Sequence, residues 1–425
     1  MSTERPWFRP SPFPSAAPGS RVPRTLRAVL ILGLVLLLAA GPALALSDAQ
    51  QLVVEAWRLV NQSYVDPQRF EAVHWRRLRQ KALERPISSS DDAYMAIEAM
   101  LAPIGDPYTR LLRPDDYNNL RSSTQGSVTG VGLQIGLRDG DQRVVVIAPL
   151  DDSPAAEAGL TSGTELLAVD GQPTPALGLE GTAAALRGST GSQVLVTVAR
   201  SGQPEEVVLE RRQVNLRPVR SRRLRLEGHT VGYLRITQFA EPVPEQVHQA
   251  LTDLVDQGIE GLLLDLRNNS GGLVSAGLAV ADQLLDRQPI VETQDRDGLS
   301  SPVQAGAGQL YDGPMLTLVN GGTASASEIL AGALQDNGRS ELAGSRTFGK
   351  GLIQSLLPLS DSSGLAITVA RYVTPSGRDI QNQGIEPEHP LPPPEPLNPG
   401  GDNDAWLQEA SDLLVERIGR NAPEP

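Results

Sequence analysis

The residues able to do chemistry in this 425-residue chain are few. Cysteine is absent, which removes thiol nucleophiles, iron–sulfur clusters, zinc–thiolate sites and disulfides together. The four histidines, His74, His229, His248 and His389, show neither an HxH nor an HExxH spacing, so no metal and no cofactor is expected. Of 37 lysines and arginines, only Lys81 and Lys350 are lysine. An amine can be tuned toward neutrality by its surroundings, whereas a guanidinium stays charged. A lysine kept against an arginine background is therefore a candidate base, with codon drift as the plain alternative. Without a thiol or a suitably placed imidazole, the economical nucleophile–base pair is serine with lysine.

Three segments could carry that pair. The first is Asn320-Gly321-Gly322-Thr323-Ala324-Ser325-Ala326-Ser327-Glu328-Ile329. It leaves an apolar strand-like run through small residues and enters an apolar helical stretch. Ser325 there meets unpaired N–H groups and the positive end of a helix, which suits an oxyanion-forming nucleophile. Ser325-x-x-Glu328 also reads as a capping box, which needs no catalysis. The second segment, Gly344-Ser345-Arg346-Thr347-Phe348-Gly349-Lys350-Gly351, nearly spells a nucleotide-binding P-loop. Gly351 replaces the magnesium-binding hydroxyl, and Leu352 to Leu356 runs into Pro358 instead of opening a helix, so the nucleotide reading is rejected. What remains is Lys350 in a glycine-flanked loop among apolar neighbours, where desolvation would depress its pKa. If the chain is extended here, Gln354 shares a face with Lys350, and its amide could orient the amine. The third segment, Asp265-Leu266-Arg267-Asn268-Asn269-Ser270-Gly271-Gly272, ends an apolar strand in a turn that could aim a backbone N–H at a developing oxyanion. A tight strand-to-helix connection is the equally natural alternative.

The elements that must position these segments follow from texture. In residues 1–45, arginines in a proline-rich stretch precede the apolar run Ala28 to Ala40 and an Ala43-Leu44-Ala45 cleavage pattern. This reads as a secretory signal peptide with a long n-region. Residues 46–122 have helical periodicity broken by prolines, and include the loop Gly105-Asp106-Pro107-Tyr108-Thr109. Residues 123–215 have β texture, with five or six short strands and two helices, suited to a small, partly open barrel. The basic run Arg217 to Arg225 reads mainly as a solvated junction. Residues 216–395 alternate buried strands with helical stripes, an α/β layer architecture. Residues 396–425 form a Pro/Gly-rich linker and an amphipathic helix. The formal net charge of −13 argues against nucleic acid as a partner.

Taken in order, the three segments resemble the carboxyl-terminal processing proteases, also called tail-specific proteases. The matching residues are Asp265 to Gly272, Ser325 to Glu328, and Thr347 to Gln354. Ala366 to Tyr372 and the early Gly105 to Thr109 match as well. The resemblance implies Ser325 as nucleophile, Lys350 as general base and Gln354 as the group that orients it. It also implies an oxyanion hole from the N–H groups of Gly271 and Ala326. The 123–215 segment is similar to the family's PDZ domain, with Val131, Gly132 and Leu133 binding a substrate carboxylate. The implied fold is a ClpP/crotonase-like layered α/β core with an inserted β-barrel-like PDZ domain and an N-terminal helical region. The implied function is an exported serine endopeptidase, of the periplasm or thylakoid lumen, soluble after signal cleavage or loosely membrane-associated. It would take proteins with free C-terminal tails, membrane proteins with exposed termini among them, and cut near the C-terminus. Maturation of a photosystem II reaction-centre precursor fits this frame. A PDZ scaffold that captures tails on a degenerate protease core is the alternative.

Overall fold

Gly261–Asp265 and Met315–Val319 are each five consecutive buried residues with no solvent-facing alternation. Only a strand covered on both faces tolerates that pattern. In the computed structural model the two lie side by side and parallel, Leu262 opposite Met315 and Asp265 opposite Leu318. They form the middle of a six-stranded sheet ordered Val219–Leu226, His229–Ile236, Gly261–Asp265, Met315–Val319, Glu341–Gly344 and His389–Pro390. The first pair is antiparallel and the rest are parallel. The structure describes residues 46–421 apart from 138–142, 150–152, 161–163, 201, 216, 299, 397–398 and 402. The signal peptide expected over 1–45 therefore lies outside the described residues.

Each strand of this sheet sends alternate side chains to opposite layers. Leu262, Leu264, Met315 and Val319 pack against Val247 and Leu251 of the Val243–Asp256 helix, Val280 of Val274–Leu284, and Ile329 and Leu330 of Ala326–Asp336. Leu263, Leu316 and Leu318 face the other way, onto Trp406, Ala410 and Leu414 of the Ala405–Asn421 helix. That last helix is fastened by charge as well as by apolar contact. Arg267, buried, donates to both oxygens of Asp404 at 2.9 and 2.6 Å and to both of Asp265 at 3.0 and 2.6 Å. Asp404 in turn caps the helix by accepting from Leu407 N. Burial pushes the Asp265 carboxyl up, but Arg235 and Arg267 outweigh it and hold the group below the usual carboxylate range.

A second sheet is built around Gly364–Val373, which pairs with Leu352–Pro358, Arg110–Leu112 and Pro289–Asp295; the last pairs in turn with Ser300–Gln304. The N-terminal helices Asp48–Ser63, Trp75–Leu83 and Ser90–Leu101 bury Val53, Val60, Ile97 and Met100 with Leu365 and Ile367 of that central strand. The helical region is thus joined to the second sheet by its own strand and its own core. In the β region, five strands run in the order Leu133–Leu137, Val144–Pro149, Glu165–Val169, Gln193–Arg200 and Gln203–Glu210 around a separate apolar cluster.

One expectation needs correction, and one is made more definite. The β region, expected as a partly open barrel, is an open sheet among the described residues, with Leu133–Leu137 and Gln203–Glu210 at its ends. The arginine run is solvated, but over Arg220 to Arg225 it is a strand and not a linker. Arg220 to Arg225 lie on the Val219–Leu226 strand, the edge of the six-stranded sheet. Arg222 lies over the Tyr233 ring and donates to Gly400 O, and Arg225 donates to Thr230 Oγ1. Charge on an edge strand blocks pairing with another chain, so a strand can be written in arginine.

Removing one partner of a buried ion pair leaves the other charge uncompensated. Asp404→Ala should therefore destabilise the fold by about 3–5 kcal/mol. Asp404→Asn, which keeps a capping oxygen, should cost less. Urea denaturation of the two variants beside the parent checks this; coincident midpoints would mean apolar packing alone holds the last helix.

Candidate active site

Both central strands end on the same edge of the sheet, where open α/β sheets place their ligand crevices. The two loops that leave them are stapled together there. Asn320 Oδ1 accepts from Asn268 N at 2.8 Å, while Asn320 Nδ2 donates to Asn268 Oδ1 at 2.8 Å. Asn269 O accepts from Ala324 N at 3.0 Å and from Ser327 Oγ at 2.9 Å. This pairing presses the Asp265–Gly272 turn against the start of the Ala326–Asp336 helix.

Ser325 precedes that helix with φ 58° and ψ −117°, and is 8 % exposed. A capping residue is ordinarily extended, so the capping box that Ser325 and Glu328 form does not account for this backbone. A non-glycine residue held there costs on the order of 1–3 kcal/mol, and such residues concentrate at reactive centres. Gly271, at φ 101°, meets it closely. A Cβ at that position would lie 2.8 Å from Ala324 O, 2.9 Å from Ser325 Cβ and 3.1 Å from Ala326 N. The structure thus brings Gly271, Ser325 and Ala326 together. The Gly271 N–H is donated to Asn269 Oδ1 at 3.0 Å.

Lys350 arrives on the loop before the Leu352–Pro358 strand, and Glu328 links that loop to Ser325. The fully buried Glu328 carboxylate accepts from Ser325 N at 2.9 Å and Lys350 N at 2.9 Å on Oε2. On Oε1 it accepts from Thr347 Oγ1 at 2.6 Å and Gly349 N at 2.7 Å. The buried Tyr372 hydroxyl lies 2.7 Å from Lys350 O and 3.1 Å from Ser325 O. Burial is the main cause that pushes the Lys350 amine below its ordinary pKa. Arg110 adds to it, and Glu328 and Asp106 oppose. Among the described residues no hydrogen bond joins Lys350 Nζ to Ser325 Oγ; the amine instead lies 5.0 Å from the centroid of the Tyr108 ring. Gln354 lies just past an irregularity in the strand pairing, between Ile353 and Gln354, which interrupts the two-residue alternation the sequence reading relied on. Its Nε2 donates to Thr368 Oγ1 at 3.4 Å.

In the β region, Val131, Gly132 and Leu133 lead into the edge strand Leu133–Leu137. Gly132 has φ 73°, and a Cβ there would collide with Ser153. Val131 O accepts from Ala155 N at 3.0 Å, which holds the loop against the short Pro154–Glu157 helix. The Thr174–Leu186 helix packs along the same strand, leaving an open sheet edge beside a helix.

A family model described as "Peptidase family S41" matches residues 230–391, and one described as "PDZ domain" matches 145–200. A carboxyl-terminal-processing protease of Picosynechococcus is 45% identical over 391 residues, covering 90% of this chain and 94% of its own. The C-terminal processing peptidase of Tetradesmus obliquus is 41% identical, covering 84% and 80%. The chain belongs to peptidase family S41. A solved structure of a photosystem II D1 C-terminal processing protease superposes with a TM-score of 0.63 at 39% identity, over 87% of this chain and 98% of the other. The protein is thus a serine-type peptidase with a PDZ domain.

Sequence reasoning missed several residues of this peptidase's site. Glu328 was legible as a cap but not as the link between Ser325 and Lys350, because its other donors lie about twenty residues downstream. Tyr108, in the Gly105–Thr109 loop, carries no sequence signal of a role at the site. Phe348, next but one to Lys350, is 57 % exposed, which no apolar pattern announces.

In Glu328→Gln the amide NH2 must face at least one backbone N–H, whichever way it is turned. Each such unpaired donor costs about 1–3 kcal/mol. Displacing Ser325 and Lys350 by an ångström can cost roughly a hundredfold in rate. The variant should therefore lose both thermal stability and kcat; unchanged kcat in a folded variant would mean the carboxylate is only a cap.

Proposed function

We propose that Ser325 is the nucleophile and Lys350 the general base of a peptide-bond hydrolysis. The observation that carries this reading is the strained Ser325 backbone held by the same carboxylate that holds the Lys350 loop. Neutral Lys350 takes the Ser325 hydroxyl proton as Oγ bonds to the scissile carbonyl carbon. The amine then returns that proton to the leaving nitrogen as the C–N bond breaks. Water, deprotonated in the same way, releases the acyl group and restores Ser325. For this Lys350 Nζ must leave Tyr108 and come within reach of Oγ. The N–H groups of Gly271 and Ala326 hold the oxyanion, with Gly271 N–H turning from Asn269 Oδ1 toward it. Gln354, through Thr368, helps to fix the surface the amine approaches. The exposed Phe348 gives a substrate side chain an apolar shelf.

The PDZ domain supplies the tail. Among the described residues Leu133–Leu137 ends its sheet, and an extended peptide can add to that edge as a further strand. Val131, Gly132 and Leu133 offer N–H groups to its terminal carboxylate, and the partly buried Leu133 and Ile135 favour small or apolar final residues. The cyanobacterial and chloroplastic relatives, together with the leader-like 1–45 segment, support export to a periplasm or thylakoid lumen. They also support a substrate of the photosystem II D1 type, a membrane protein with an exposed C-terminus. Among the described residues no helix is long and apolar enough to cross a membrane. Helices on one face of the six-stranded sheet, and the second sheet beyond them, support a ClpP/crotonase-like core. Its bounds are proposed at 216–395, with the helical region at 46–122, PDZ at 123–215 and the final linker and helix at 396–425.

Ser325→Ala should abolish cleavage of a tailed peptide and leave folding intact; turnover in the purified variant would remove the nucleophile assignment. Lys350→Arg should be as inactive as Lys350→Ala, since a guanidinium cannot take the proton. With its pKa depressed, the amine becomes neutral as pH rises, so kcat/KM should climb through one ionisation below the free-lysine value of about 10.4. Amidating the peptide's C-terminus should cost roughly tenfold or more in kcat/KM, equivalent to about 1.4 kcal/mol. Equal cleavage of both peptides would leave an ordinary endopeptidase with no tail recognition, and capture without products would leave the scaffold.

A further inference from the structure

The Gly105–Thr109 loop belongs to the helical region and has no part in the reaction as drawn, yet the fold delivers it to the base. Tyr108 presents its ring 5.0 Å from Lys350 Nζ, inside the ~6 Å over which a ring face attracts an ammonium. The loop is built to hold that ring in place. Asp106 Oδ1 accepts from Tyr108 N at 2.9 Å, and Oδ2 accepts from Thr109 Oγ1 at 2.7 Å and Thr368 Oγ1 at 2.6 Å. Thr109 Oγ1 accepts from Thr368 N at 3.0 Å, and the next residues, Arg110–Leu112, pair with Gly364 to Ala366. Thr109 and Thr368 are both buried, and Thr368 also receives the Gln354 amide. Tyr108 is therefore fastened to the strand neighbouring the one Lys350 leads into.

We propose that Tyr108 is a positioning residue for the base: its ring face seats the Lys350 amine between turnovers, which makes the N-terminal helical region a wall of the catalytic centre. This rests on the reading of Lys350 as the base. The charged groups facing the amine are Arg110 from the following strand, Glu328 from the Ala326–Asp336 helix and Asp106 from the loop itself. Replacing the ring by an aliphatic side chain of similar bulk leaves these charges and the dry surroundings in place. It removes only the attraction of the ring for the protonated form. The amine must then lose its proton at lower pH. A ring removed without replacement would admit water and move it the opposite way.

The scarcity of lysine makes the measurement direct. With Lys81→Arg as background, Lys350 is the one lysine left, so reductive 13C-methylation labels only Lys350 and the N-terminal α-amine in the full chain, and the resonance lost in Lys350→Arg is the one to titrate. Tyr108→Leu should lower that midpoint by about half a unit to one and a half units, while Tyr108→Phe, which keeps the ring, should leave it in place. The acid limb of kcat/KM in unmethylated enzyme should move with it. If Tyr108→Leu fails to fold, Tyr108→Met carries the same expectation. A midpoint unchanged or raised in the aliphatic variants, or lowered as far by Phe as by Leu, overturns the seat. An acid limb that ignores a normal lysine titration in the parent enzyme instead overturns Lys350 as the base, and the two failures are told apart.

Discussion

Four donors from two segments converge on one buried carboxylate, and the active site depends on that convergence. Glu328 binds the backbone of Ser325 on one side, and Thr347, Gly349 and Lys350 on the other. The strain at Ser325 is of order 1–3 kcal/mol, and a hydrogen bond to a charged group contributes about 1.5–3. The one bond to Ser325 N is comparable to the strain, and the other three fix the carboxylate that accepts it. The carboxylate can therefore hold a conformation that Ser325 would abandon on its own. Its position on the helix one turn after Ser325 makes this possible. The same oxygen that reaches back to cap the helix also reaches sideways to the next loop.

That arrangement presupposes two parallel strands ending level with one another. The Gly261–Asp265 and Met315–Val319 ladder sets their register, and the Asn268–Asn320 pair carries it into the loops. Arg267 then extends the constraint to the far face of the sheet, where Asp404 fastens the last helix. A turn rich in polar side chains is thus held rigid from both sides. This lets Gly271 stand where an added Cβ would lie 2.9 Å from Ser325 Cβ, without a side chain of its own to hold it there.

How much of this was legible depended on how local the determinants are. The buried strands and their helices read directly, because a short apolar run such as Met315–Val319, with Thr317 its one polar member, has few other uses. Gly258, at φ 72°, follows the Val243–Asp256 helix in the left-handed conformation that a C-capping glycine takes. The Arg-rich Val219–Leu226 strand did not read, since what makes it a strand is its partner and what fills it is edge protection. Arg110–Leu112 did not read either: its partner strand lies some 250 residues away, and three residues carry no period. In the site, the serine, the lysine and the glycine turn were legible from residue type and spacing. The roles of Glu328, Tyr108 and Asp106 were not, because each acts through contacts distant in sequence.

The distribution of cations follows from the same physics. Where the chain needs a charge that stays on, as at Arg267 between two buried carboxylates, it uses a guanidinium whose fork meets both oxygens of each. At Lys350, the proposed base, it uses an amine and surrounds it with apolar burial and a neighbouring arginine. Glu328 and Asp106 pull that amine the other way, and the Tyr108 ring adds to their side. A base needs both influences. Burial alone would leave an amine that is neutral but too weakly basic to take the serine proton, and charge pairing alone would leave one that never becomes neutral to take it. Lys350 sits where the two meet. That balance could not be struck by any of the arginines around it.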